Sequence, residues 1–238
     1  MRSQLYVPEI TRQSLKGEIQ SFVRIYTHKL LPVFDDIESE AESLANDSYD
    51  TFMSQPANVD DIDPSSFADQ ATDLGIENYF FLSMGKYNLT ATWHATLYQL
   101  WEQQVRLFLF REISHVKVLQ FQSFCTRIAE IKETFACHNV NVHALASWPK
   151  VDELYLLCNV IKHGDGDSAK KLRKVNPAIF KKEATLLGEE RYIDSMDTYR
   201  TTLLNETLAL DQISLAKYKE ALLSFWDELP ERSYSDEL

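Results

Sequence analysis

Asn159, Lys162 and His163 are the residues of this chain whose types and spacing suit chemistry. They stand in the run Leu156-Leu157-Cys158-Asn159-Val160-Ile161-Lys162-His163-Gly164-Asp165-Gly166. Spacings of three and four residues crowd them onto one face of a helix. Gly164 suits the position just past a helix end. His163 would then stand at the negative end of the helix dipole, and imidazole is the side chain best suited to acid–base work near neutral pH. Asn159 and Lys162 would serve as donors to a phosphate. The plainer alternative is that Lys162 and His163 merely complement the dipole while Asn159 closes a local hydrogen bond.

A second candidate is Glu102, four residues before Arg106 in an apolar stretch. The pair reads either as an ordinary i,i+4 ion pair worth a few tenths of a kcal/mol, or as a carboxylate that orients Lys162 or His163 from a neighbouring helix. Just after the motif, Lys162–Lys182 holds seven basic residues against Asp165 and Asp167, a local +5. Lys170, Lys171, Arg173 and Lys174 are the candidate nucleic-acid contacts there; a solvated helix face is the alternative. No Gly-rich phosphate loop, GxSxG or HExxH is present. Cys137, His138 and His143 offer three soft ligands where zinc usually takes four. Neither a metal nor a cofactor is expected.

The Cys158–His163 segment resembles the signature of HEPN-fold proteins, helical bundles that include metal-independent ribonucleases, toxins and phage-defence components. That signature is an Arg, a polar residue that is often Asn, three further residues and a His. Asn159 matches the polar position and His163 the histidine, and the Arg position falls on Cys158. The strict match covers six residues, and helix order resembles the family loosely from Leu97 to Phe180. The resemblance implies a HEPN-like bundle, a homodimer in which the signature faces meet, His163 handling a proton of the 2′-OH, and RNA-related or defence biology. A thiol does not supply the planar, bidentate cation that an arginine brings to a phosphate. A non-catalytic module that binds RNA or a protein partner is therefore expected, with a metal-independent endoribonuclease or toxin as the alternative.

The elements that must position these residues read as helices. Only 6 glycines and 7 prolines in 238 residues leave few turns. A stripe through Ile19, Phe22, Val23, Tyr26 and Leu30 predicts a first helix, broken near Pro32 and resumed through Ile37, Ala41 and Leu44. Gln55–Pro64 predicts an acidic loop. A helix capped by Ser65 or Ser66 follows, with a break expected at Gly85–Asn88. A central helix runs over 90–114 and another over 118–137. A helix opened by Ser147-Trp148-Pro149 ends at Gly164, and a short one is capped by Ser168. Residues 181–213 carry no legible pattern. Ser214 caps a last helix over 214–229.

The expected architecture is thus all-α: a single helical domain over 1–238, with an N-terminal helical region 1–54, a loop 55–64, a HEPN-like core 65–180 and the C-terminal helix. Net charge is −12, and Asp35–Glu77 supplies thirteen acidic residues with no Lys or Arg. That balance opposes wholesale binding of nucleic acid or anionic membrane. Three cysteines without a CxxC pair, and an N-terminus without an apolar run, predict free thiols in a reducing, cytoplasmic setting with no membrane span.

Overall fold

The computed structural model describes residues 2–54, 64–186 and 189–235, and of 64 and 181–192 the backbone alone. It is mostly helical, as the periodicity predicts. In chain order the elements are strand β1 (Gln4–Tyr6), helices α1 (Glu9–Ile25), α2 (Ile37–Ser54), α3 (Pro64–Ser114), α4 (Ile128–Ala136), α5 (Trp148–His163) and α6 (Asp167–Val175), strands β2 (Lys181–Leu186) and β3 (Glu189–Asp194), helices α7 (Ser195–Tyr199) and α8 (Gln212–Glu228), and strand β4 (Arg232–Tyr234). None of these helices is long and apolar enough to cross a membrane.

The chain divides into two compact units, Met1–Ile25 with Thr90–Leu238, and Tyr26–Leu89. The division falls at these points rather than in the acidic segment 55–64, of which 55–63 lie outside the described residues.

In the first unit α1 and α5 both pack on α8, and α5 also on α6. Their apolar faces meet on Trp101 of α3, which is fully buried together with Phe225, Trp226, Leu154 and Leu157. The rings of Trp101 and Phe225 meet edge to face at 5.0 Å, and Phe225 and Trp226 at 5.5 Å. Each such side chain stabilises the fold by about 1.5–3 kcal/mol through burial alone. The Trp101 face is therefore filled from within its own unit, and a dimer would have to use another surface.

Strands β1 and β4 pair antiparallel, Gln4 opposite Tyr234. The Ser3 hydroxyl meets His138 Nε2 at 2.8 Å, and His138 Nδ1 lies 2.7 Å from the Thr134 carbonyl, so this imidazole is fully used in holding the strand pair to α4. Strands β2 and β3 form a second antiparallel pair, Lys181 opposite Asp194.

In the second unit the chain leaves α1 through a π turn (Tyr26–Leu30) and a 3-10 turn (Leu31–Phe34), since Pro32 has no N–H to continue an α-helix. Helices α2 and α3 then lie in close contact. A Cβ on Gly75 would come within 2.9 Å of both the Ala41 carbonyl and the Ala45 side chain, so only glycine permits this approach.

Five boundaries differ from expectation. No break occurs at Gly85–Asn88, because a helical glycine costs only about 1 kcal/mol against alanine and the surrounding turns carry it. Helix 118–137 contracts to α4. Upstream, Arg106 donates to the carbonyls of Phe121 and Phe124, the Glu130 carboxylate takes the amides of Thr126 and Arg127, and Cys125 adopts a positive φ of 48°. Helix α6 has Gly166 as its N-cap and no side-chain cap, so Ser168 lies inside its first turn. Helix α8 is capped by Asp211, whose carboxylate accepts from the Ser214 amide at 2.7 Å, which places Ser214 at the third helical position. Helix α3 likewise starts at Pro64, with Ser65 and Ser66 inside its first turn.

Candidate functional site

Helix α5 spans almost the residues its sequence predicts. Val151, Leu154, Leu157 and Ile161 make its buried face, and Lys162 and His163 occupy the exposed last turn with Asn159 half-buried behind them. The helix stops at Gly164, whose amide donates to the Val160 carbonyl at 2.8 Å. The Thr202 hydroxyl donates to the next carbonyl, Ile161, at 2.7 Å. The helix end is therefore closed by protein groups rather than left open to a ligand.

Gly164 has φ 71°, and a Cβ there would stand 2.4 Å from the Arg200 carbonyl oxygen. The next amide, Asp165, donates to that same oxygen at 3.1 Å. The Asp165 carboxylate accepts from Arg200 Nη1 at 2.8 Å and from Arg173 Nη1 at 3.2 Å. Burial pushes the Asp165 carboxyl up, but the hydrogen bonds from Arg173 and Arg200 outweigh it and hold the group below the usual carboxylate range.

Arg173 is the hub of this corner. Its guanidinium also reaches Asp194 at 2.7 Å and Asp197 at 3.1 Å, and lies over the Phe180 ring, 4.6 Å from its centroid. The Asp194 hydrogen bond is the main cause that raises its pKa further, against burial. Arg173 was a candidate nucleic-acid contact, yet three carboxylates already neutralise it. Lys170 pairs with Asp167 at 3.2 Å on the surface. Lys171 and Lys174 are exposed. Lys181 and Lys182, which complete the basic run, have side chains outside the described residues.

Cys158, in the arginine position of the signature, faces inward. It is 1% exposed and its thiol lies 3.6 Å from the Ala95 carbonyl. Burial pushes this thiol up, and the nearby charge of Lys162 opposes that shift. Glu102 belongs to the same cluster: it accepts from the Tyr98 hydroxyl at 2.9 Å, and its charge acts on Cys158. Burial, reinforced by Glu102, holds the Tyr98 phenol protonated well above the ordinary range.

The fold therefore brings Glu102 and Lys162 together around Cys158, while Asn159 and His163 share the adjoining helix face. No hydrogen bond joins Glu102 to Lys162 or His163 among the described residues. The Glu102–Arg106 ion pair does not form, because Arg106 is drawn to the 121–124 carbonyls. Sequence reasoning missed Arg200 and Thr202, which close the end of α5. They lie in the stretch without periodicity, and no local pattern marks them. It also missed Tyr98, which looks like an ordinary helix position.

Chemically, the corner offers an exposed imidazole, an ammonium near a thiol, and two guanidinium groups bound to carboxylates. It can make polar contacts with a partner, but neither arginine is free to steady a phosphoryl group. No metal-binding group of three or more His, Cys, Asp or Glu occurs among the described residues. No protein-family model matches this chain, and no curated protein and no solved structure matches it.

Proposed function

We propose that this chain is a HEPN-like helical module with a degenerate signature, acting through binding rather than catalysis, in a defence or toxin–antitoxin-like setting. The observation that carries the reading is the position of Cys158. The residue standing where the resemblance asks for arginine is a thiol buried against the Ala95 carbonyl, so that position offers no cation to a phosphate. Loss of such a charge-stabilising donor costs roughly 10²–10³ in rate. Lys162 does not replace it, because an ammonium point charge lacks the planar, bidentate fork of a guanidinium.

A protein partner fits the α5–α6 corner better than RNA, since Arg173 and Arg200 already satisfy carboxylates and the overall charge of −12 opposes a polyanion. The endoribonuclease reading has one feature in its favour, the exposure of His163 at the helix end beside Lys162. Incubation of the purified chain with total RNA and a chelator, beside His163→Ala, separates the two. No His163-dependent cleavage is expected, whereas cleavage by the wild type alone would sink the binding-module reading. Its positive test is a partner retained by the wild type and lost with the folded variant Lys162→Glu/His163→Glu.

A further inference from the structure

The second unit, Tyr26–Leu89, carries thirteen acidic residues against Lys29 and Lys86, so −11 of the chain's −12 resides there. Along α3, the face holding Ala71 and Gly75 is turned to α2, where Gly75 almost touches the Ala41 backbone. The side away from α2 is consequently turned outward. It presents Ile76 at 50% and Phe80 at 65% exposure, four residues apart, with the less exposed Tyr79 edge to face against Phe80. Asp69, Asp73 and Glu77, each exposed and four residues from the next, run beside this stripe. Large apolar side chains clustered within an acidic frame are a recurring mark of an interaction surface.

From this we infer that the Ile76–Phe80 face of α3 docks a basic, amphipathic protein segment, with apolar anchors on Ile76 and Phe80 and Lys or Arg side chains against Asp69, Asp73 and Glu77. Charge selects the occupant. A nucleic acid, an anionic membrane and the same face of a second copy are all repelled by a surface of this sign, whereas a basic segment is steered toward it. Helix-in-groove and helix-on-helix recognition use anchors at these same spacings. The inference stands apart from the reading of α5, because it uses none of that helix's residues.

The test is fluorescence anisotropy of the full chain with a labelled amphipathic helix of Leu and Lys, beside the matching Leu/Glu peptide and a single-stranded RNA. The Leu/Lys peptide should bind and the other two should not. Ile76→Ser/Phe80→Ser should weaken binding at least about tenfold at any salt concentration, as loss of central anchors does. Asp73→Lys/Glu77→Lys should weaken it as much at low salt and flatten the salt dependence. These positions are exposed, so circular dichroism should be unchanged. Four results would overturn the inference: no peptide binding, binding by both variants as tight as by the wild type, RNA binding that depends on Phe80, or self-association in light scattering that Phe80→Ser abolishes while the peptide fails to bind.

Discussion

Gly164 and Arg200 meet through backbone alone: the Arg200 carbonyl oxygen stands where a Cβ of residue 164 would be, and both residues have positive φ, 71° and 61°. Two turns thirty-six positions apart are thereby locked together at the end of the helix that carries Asn159, Lys162 and His163. The Gly-Asp-Gly of the motif thus has a structural duty. Gly164 permits the approach, and Asp165 holds Arg173 and Arg200 around it.

Gly164→Ala should therefore destabilise the protein by about 2–3 kcal/mol, since the substitution combines an unfavourable φ with a backbone clash. Gly166→Ala should cost under about 1 kcal/mol, because nothing lies within 4 Å of its Cβ position and its backbone is extended. Thermal or denaturant melts of the two variants side by side provide the check. Equal losses would mean that the Arg200 contact is not the cause.

His94 sets an acid limit on stability. It is fully buried in α3, with Nδ1 donating to the Thr90 carbonyl at 2.8 Å and Nε2 2.9 Å from the Ser214 hydroxyl. Burial outweighs the Thr90 hydrogen bond and the charge of Asp211 and lowers its pKa from 6.5 to about 4. The unfolded chain then takes up this proton first as pH falls. The stability is fully present above about 6.5, and roughly 3 kcal/mol of it is lost by about pH 4. Urea melts at pH 7, 5.5 and 4.5 should follow this slope. His94→Asn should be less stable at pH 7 and should lose that part of the slope; a variant with the wild-type slope would assign it to other groups.

Arg173 and the neighbouring lysines should behave differently. Arg173→Ala leaves Asp194 without its guanidinium partner and Asp165 held by Arg200 alone, and should cost about 1–3 kcal/mol, because both carboxylates are largely enclosed. Lys171→Glu and Lys174→Glu should leave the melting temperature nearly unchanged. If the lysines do contact single-stranded RNA, gel shifts should show a logarithmic salt slope of roughly 0.7 per contact that these two variants reduce. A flat titration at low salt would remove RNA from consideration at this corner.

His163→Ala should change stability by under about 0.5 kcal/mol, as exposed substitutions usually do. A melting shift above roughly 5 °C would mean that the imidazole supports the fold rather than standing ready for a partner.

The sequence by itself determined what depends on near neighbours. Helix α5 and its stop at Gly164, the interruption at Pro32 and the mostly helical content are written in 3.6-residue periodicity, in proline's missing donor and in a glycine at a helix end. Those signals act within a turn or two, so they are readable without the fold. Tertiary structure alone decided which polar groups are spent and which remain. Arg173 looks like its lysine neighbours until Asp165, eight residues before it, and Asp194, twenty-one residues after it, converge on its guanidinium. Arg200 and Thr202 lie in a stretch with no periodic pattern and gain their places only by packing on the end of α5. Lys162 is one turn from Cys158 in any helix, but only the tertiary structure buries that thiol against the Ala95 carbonyl. Ion pairs and close backbone contacts choose partners across space, and a linear pattern carries no record of that choice.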